Sequence, residues 1–501
     1  MLRKVIPLCA LIGLTNIAGA QNINLKSASK FANTITADDL KKHLTIVASD
    51  EMEGRGTATQ GEIKAANYIA GYMKSIGLTP GNNGSYFQLW PIYQDSLIST
   101  NLSINNQEYK YGTDFLPGAG NSNAQYNFSE VVFVNPKDTA FLNNKVNITG
   151  KLVLISPQSE SNPRASMMQQ FRLMSQLQSK GAAAVLIVSN NLPAKKLPEP
   201  TGRLKVSKYN SSVNISNYSI SPALAQAITN INFADADAIK DLPVKTYKAE
   251  ISLAYNGTTQ TLESRNVLGI IEGTDLKDEY VVLTAHFDHE GIKDGVIYNG
   301  ADDDGSGTVS ILELAEAFAA AKKAGKGPRR TIVFMAVSGE EKGLLGSAYY
   351  GSHPVFPLEK TSVNLNIDMI GRLDSTHIAE NKTNYVYIVG DDKLSTELNP
   401  ITYKANKLTN LHLNHKYNDP KDPMRIYYRS DHYNFAKYGV PIIFYFNGTH
   451  ADYHQPSDKV EKINFDIMEK RAKLVFYTAW EIANKNEMLK RDLKLPEQGG
   501  R

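Results

Sequence analysis

The chain has almost no cysteine: Cys9 is the only one in 501 residues. Removal of a twenty-residue leader, argued below, leaves none. That excludes disulfides, thiol nucleophiles and thiolate metal sites from the mature chain. It also lacks an excess of either charge. Lys and Arg total 54 against 51 Asp and Glu, a formal net charge of +3, of which Arg3 and Lys4 supply two. Such a balance gives no electrostatic drive toward nucleic acid or an anionic membrane, so neither is expected as a partner. No apolar run reaches the ~20 residues that a membrane-crossing helix needs, so no stable span is expected. Hydrophobic residues make up 42% and charged residues 21%, which fits a globular protein and not a disordered or repetitive one. The length allows two or three domains of roughly 100–200 residues each.

The first twenty residues read as a signal peptide. Arg3 and Lys4 form a basic start, Val5 to Leu14 is mostly apolar, and Ala18-Gly19-Ala20 offers small residues for cleavage. The expectation is an exported protein, periplasmic or secreted. A lipid anchor on Cys9 is the alternative, but Ile6-Pro7-Leu8 fits a lipidation box poorly. Residues 21–98 read as a polar leader followed by the first part of the main domain. There Thr36 is a plausible N-cap, and Leu40, Leu44 and Val47, then Ile63, Ala66, Ile69 and Met73, recur at helical spacing. Residues 99–260 turn rich in Asn, Ser and Thr, with short β-like runs and a helix-like stretch at 167–179, and read as an inserted module.

From 261 to 488 strands and helices alternate. Apolar runs at Tyr280–His286, Thr331–Ser338, Val363–Asp368, Tyr385–Val389 and Pro441–Phe446 predict strands. Ile311, Leu314, Ala315, Phe318 and Ala319 mark one face of a helix between the first two, and Phe465–Lys485 a closing helix. The pattern predicts an α/β domain: a mixed, largely parallel central sheet flanked by helices, with a smaller β-rich α/β insert. Residues 489–501 form a polar tail.

Ligands in open α/β sheets bind outside the carboxyl ends of strands. Three predicted strands run there into metal-type side chains: His286 with Asp288, Glu340 with Glu341, and Asp368. Asp302-Asp303-Asp304 in a glycine-rich loop and His454 after the last strand complete the set. Asp288 is placed to orient His286. Each feature has a plainer reading: a packed histidine, a solvated acidic helix start, a calcium loop. Asp302, Asp304, Ser306, Gly307 and Glu313 do fall at EF-hand positions, but Gly291, Gly295 and Gly300 deny the loop its incoming helix. Taken together, two His, three acids and a spare Glu match a dinuclear site, and nitrogen and carboxylate donors without thiolate suit catalytic zinc.

The strings Thr284–His289, Asn299–Gly307, Ser338–Ser347, Asn366–Arg372, Ser430–His432 and Tyr453–Asp458 resemble the two-zinc aminopeptidase family, whose relatives include glutamate carboxypeptidase II, the transferrin receptor ectodomain and glutaminyl cyclases. Gly150–Ile155 and Gly181–Val188 make the insert resemble a protease-associated domain. The resemblance implies a dinuclear zinc metallo-aminopeptidase, a hydrolase acting on peptides with a free N-terminus. Two Zn2+ ions are implied, with Co2+ or Mn2+ as possible substitutes. One zinc would take His286 and Asp368 and the other Glu341 and His454, with Asp303 bridging and a cis peptide after it. Glu340 would be the general base toward a bridging water, Tyr453 would help hold the oxyanion, and Arg429 would contact substrate. Alternatives are a carboxypeptidase or dipeptidase using Arg425 or Arg429 for a substrate carboxylate, a one-zinc glutaminyl cyclase, and a non-catalytic binding protein. The filled ligand positions argue against the last two.

Overall fold

A computed structural model describes residues 23, 25–118, 120–135, 146–156, 163–209, 214–239 and 242–495. The expected signal peptide lies outside them, as do residues 496–501 of the polar tail. The chain divides into two compact units, Met1–Trp90 with Ser264–Arg501, and Pro91–Glu263.

The larger unit opens with two helices. In α1 (Ala37–Val47) the Thr36 hydroxyl accepts from the Asp39 amide, the expected cap, and Leu40, Leu44 and Val47 are buried. In α2 (Gln60–Ser75) Ala66, Ile69 and Met73 are buried, but Ile63 is only half-buried. The helix is instead turned to bury Glu62, whose carboxylate accepts from the Ala58 amide and the Ser264 hydroxyl.

The sheet is built from β1 (Lys245–Ile271), β2 (Leu276–His286), β3 (Arg330–Val337), β4 (Thr361–Ile367), β5 (Tyr385–Val389), β6 (His412–Asn414) and β7 (Ile442–Phe446). Their order is β6-β5-β7-β4-β2-β3-β1. Pairings of β2 with β3 and β4, of β4 with β7, and of β5 with β6 are parallel; β1 with β3 and β5 with β7 are antiparallel. The sheet is therefore mixed and largely parallel, as the alternation predicted. Residues 331–337 and 361–367 are buried without a break, the signature of strands covered on both faces.

Helix α3 (Gly307–Lys323) and α4 (Phe465–Asn484) pack on the sheet. The α3 stripe is wider than predicted. Ala319 is half-buried, while Leu312, Ala317 and Ala321 join the core. In α4 the buried Arg471 donates to the carbonyls of Ile370, Arg372 and Tyr385, tying down the chain that leaves β4.

In the smaller unit, residues 245–255 of β1 pair antiparallel with Ala124–Val134. Parallel neighbours Leu152–Ile155, Ala184–Val188 and Ser216–Ile220 follow, then antiparallel Phe115–Pro117. Helices Pro163–Ser179 and Pro222–Thr229 accompany them. No helix among the described residues is long and apolar enough to cross a membrane.

One buried acid lies in α3. Glu313 is 1% exposed and faces the His43 ring, Nε2 to Oε1, at 3.5 Å. Its orientation toward α1 removes it from any calcium loop at 302–307. Burial first, then the carboxylates of Glu316 and Asp39, push its carboxyl from 4.5 up to about 8. Between those values the folded state holds more protons than the unfolded one, so stability falls as pH rises through that window. Glu313→Gln is expected to flatten this decline and raise Tm at pH 8 and above, with little effect near pH 4.5. Thermal melts of both proteins across that range check it; parallel curves would contradict it.

Candidate metal centre

Strand register brings the ligand-type residues level. His286 pairs with Val337, and Thr284 pairs with Asn366. With two residues of offset, His286, the turn at 339–341 and Asp368 all emerge at one edge of the sheet. Asp303 enters from the loop Ala301–Ser306, where the Asp303–Asp304 peptide is cis, as the resemblance implied. His454 enters from a turn, its φ of +55° in the left-handed region and its ring stacked on Tyr453.

The distances divide these residues into two sets that share Asp303. On one side His286 Nε2 lies 3.3 Å from Asp303 Oδ1 and 3.7 Å from Asp368 Oδ1. On the other, His454 Nε2 lies 3.1 Å from both Asp303 Oδ2 and Glu341 Oε2. Two donors bound to one tetrahedral zinc at ~2.0–2.1 Å lie about 3.3 Å apart. Glu340 Oε2 stands 4.0 Å from His286 Nε2, toward the first set. Asp303 Oδ2 is buried with no hydrogen-bond partner among the described residues. An orphaned carboxylate oxygen facing imidazole nitrogens at these separations fits a metal pair with nitrogen and oxygen donors.

The adjacent acids are driven apart. Burial, then the carboxylates of Asp368, Glu341 and Asp431, push Glu340 well above the usual range. Burial and Asp303 work the same way on Glu341, but contacts with His289 and His454 outweigh them and hold it at about 2. The two neighbouring carboxyls thus differ in proton affinity, Glu340 the higher and Glu341 the lower.

Main-chain contacts fix the loops that carry these groups. His286 Nδ1 meets the Asp288 carbonyl at 3.0 Å, while the Asp288 carboxylate is 3.7 Å away. That carboxylate accepts instead from the Glu340 amide at 3.1 Å and the Thr57 hydroxyl at 2.7 Å. Asp288 therefore touches His286 through its carbonyl and Glu340 through its side chain. The Asp458 carboxylate accepts from the amides of Asp302 and Asp303, and Asp302 accepts from Gly371 and faces His450. Ser430 donates to Asp368 Oδ2 at 2.6 Å.

Arg55 does the most. It is fully buried, and its guanidinium donates to the carbonyls of Phe287, Val47, Asn299 and Gly300 at 2.6–2.9 Å. It thereby joins the strand end at His286 to the loop of Asp303. Its neighbour Gly54 has φ +62°, and a Cβ there would lie 2.4 Å from the Tyr298 carbonyl oxygen. Sequence reasoning passed over Arg55, Asp458, His450 and His289. The glycines flanking Arg55 were the available signal.

A pocket opens onto the centre. Asp303, Glu340 and Asp368 lie at its base, Met369, Ile426, Phe444 and Phe446 form apolar wall, and Thr449, Arg429 and Tyr453 complete the lining. Arg429 is exposed, its Nη2 3.4 Å from the Tyr453 hydroxyl. Arg425 does not line this pocket. It lies over the Tyr428 ring beside Asp419 and Asp422.

The histidine–carboxylate cluster at the strand ends of this α/β sheet is a donor set of the kind that holds metal ions. Residues 266–479 match the family model of Peptidase family M28. Among curated relatives, aminopeptidase YwaD of Bacillus subtilis is 27% identical over 244 residues, 46% of this chain and 47% of that protein. A probable glutamate carboxypeptidase, LAMP1 of Arabidopsis thaliana, is 34% identical over 128 residues, 26% and 18% of the two chains. The matched stretch is under half the length of these relatives. Among solved structures, an aminopeptidase from Aneurinibacillus sp. strain AM-1 shares the fold with a TM-score of 0.55 at 18% identity, covering 94% of this chain and 99% of that one. BSAP, a zinc aminopeptidase from Bacillus subtilis, does so at 0.51 and 20%, covering 92% and 99%.

Removal of the Arg55 side chain leaves up to four buried carbonyls unpaired, each costing ~1–3 kcal/mol. Arg55→Met is expected to lower the unfolding free energy by ~3 kcal/mol or more in urea titrations. A loss below ~1 kcal/mol would show that the clamp is not what holds the loops.

Proposed function

We propose that this chain is a two-zinc aminopeptidase that removes residues from the free amino end of peptides. The observation that carries the reading is the sharing of Asp303 between two donor sets, His286 with Asp368 and Glu341 with His454, beside an uncommitted Glu340. A zinc pair would supply Lewis acidity toward a scissile carbonyl and acidify a water toward pKa ~7; Co2+ or Mn2+ would suit the same donors.

The chain's own residues then have separate tasks. Glu340, its carboxyl lifted by burial, takes a proton from the attacking water and returns it to the departing amine. The Tyr453 hydroxyl, within reach of Arg429, donates to the oxygen that gains negative charge. Arg429 steadies the substrate beyond the scissile bond. The wall of Met369, Ile426, Phe444 and Phe446 takes the side chain of the first residue, which favours large apolar ones. A free α-ammonium is drawn to the acids at the pocket base, and an acylated one is not.

A carboxypeptidase or dipeptidase is the second reading. It is favoured by Arg429, a cation in the pocket that no carboxylate pairs with among the described residues. The leader sequence supports export to the periplasm or medium, and the unit Pro91–Glu263 is read as the protease-associated insert.

The test is a panel of chromogenic aminoacyl substrates with N-acetylated counterparts, run with chelator and with zinc restored. Release is expected from free-amine substrates alone, fastest for Leu, Phe and Met, lost on chelation and recovered with zinc. Glu340→Gln should lower kcat by roughly 10²–10⁴-fold, the usual worth of general acid–base catalysis. Activity on blocked peptides with a free carboxyl end would move the assignment to a carboxypeptidase.

A further inference from the structure

His289 is a third histidine at the centre, outside the two donor sets that share Asp303. It is 0% exposed. Its Nδ1 lies 2.8 Å from Glu341 Oε1 and 3.9 Å from Asp303 Oδ2. The other oxygen of Glu341, Oε2, lies 3.1 Å from His454 Nε2. The carboxylate is thus spanned by two imidazoles, one at each oxygen, with the rings 5.9 Å apart and steeply inclined.

The two contacts differ in kind. Two donors on one tetrahedral zinc sit about 3.3 Å apart, near the His454 separation. At 2.8 Å the Nδ1–Oε1 pair is at hydrogen-bond distance and too close to share an ion comfortably. Neither ring nitrogen of His289, nor Glu341 Oε1, meets hydrogen-bond geometry among the described residues, but Nδ1 is the nitrogen with an acceptor within reach, and the ring proton is assigned to it.

The chain is shaped to hold this ring. Gly300 has φ +54°, and a Cβ there would lie 2.4 Å from His289 Cγ, so a larger residue at 300 would evict the imidazole. The His289 amide donates to the Arg55 carbonyl at 3.2 Å, and residue 289 bridges to Gly56. The guanidinium clamp and the histidine are therefore parts of one support.

We propose that His289 is a positioning residue for Glu341. Its Nδ1–H donates to Oε1 and leaves Oε2 alone to face His454 and Asp303, so that Glu341 binds metal through one oxygen. The proposal rests on the reading that Glu341 and His454 hold a zinc ion. Histidines or carboxylates that support a ligand in this way typically contribute 10–100-fold to metal affinity.

The test measures zinc content and affinity by chelator competition for the wild-type chain and for His289→Ala, His289→Asn and His289→Gln. The asparagine amide reaches the place of Nδ1; the glutamine amide reaches the place of Nε2. One of two zinc ions is expected to bind about 10–100-fold more weakly in the Ala and Gln variants, with Asn within about threefold of wild type. The visible spectrum of the cobalt-substituted Asn variant should match wild type. Unchanged affinity in Ala and Gln would overturn the role and leave the ring as filling. An Asn variant as weak as Ala, with an altered cobalt spectrum, would make His289 a ligand and overturn it too. A wild-type chain that binds no zinc would sink the aminopeptidase reading along with it, an outcome distinct from both.

Discussion

The fold of the larger unit is organised around a concentration of buried negative charge. Asp288, Asp302, Asp303, Asp304, Asp431 and Asp458 are all at most 2% exposed, and Asp368, Glu340 and Glu341 stand beside them. Carboxylates crowded out of water repel one another, and each alone would take up a proton rather than stay charged. The protein answers part of this with fixed donors. Asp304 Oδ1 accepts from the amides of Gly307 and Met369, Asp458 from two amides of the metal loop, and Asp288 from the Glu340 amide. Arg55, a fully buried guanidinium near the group, gives its hydrogen bonds to carbonyls and lends the acids only its field. A cluster this acidic is coherent as a receptacle for cations.

That constraint accounts for the dense hydrogen bonding of the supporting loops. The loop at 287–300 follows His286 and the loop at 301–306 carries Asp303, and segment 54–57 stitches them through Arg55, Gly56 and Thr57. Strand register sets His286 level with Val337, three residues before Glu340, and Thr284 level with Asn366, two residues before Asp368. The surroundings also separate two chemically identical neighbours. Glu341 is flanked by imidazoles and stays anionic, whereas Glu340 faces the pocket among other acids. The difference between the two carboxyls is a property of what each side chain touches.

Much of this was legible in the sequence because strands leave a plain trace: Tyr280–Ala285 is mostly apolar and Val363–Ile367 alternates apolar residues with Asn, and they end at His286 and Asp368. The helix start at Thr36 and the closing helix were equally readable from caps and periodicity. What was hidden depends on three-dimensional approach. Nothing local distinguishes His289 from a surface histidine, since its significance comes from Glu341, fifty-two positions away. Arg55 looks like a loop cation until four carbonyls from three segments converge on it. Ile63 followed the helical period, but a buried Glu62 with hydrogen-bond partners turned the helix. The Asp288 side chain was expected to serve His286 by proximity, and it reaches Glu340 instead because the turn at Gly339 brings that amide closer.

The central claim is that the acidic cluster holds two cations joined through Asp303. The most direct measurement is anomalous diffraction at the zinc edge from crystals of the zinc-loaded protein. The account predicts two peaks, one among His286, Asp303 and Asp368 and one among Asp303, Glu341 and His454. A single peak, or two peaks without Asp303 between them, would contradict it.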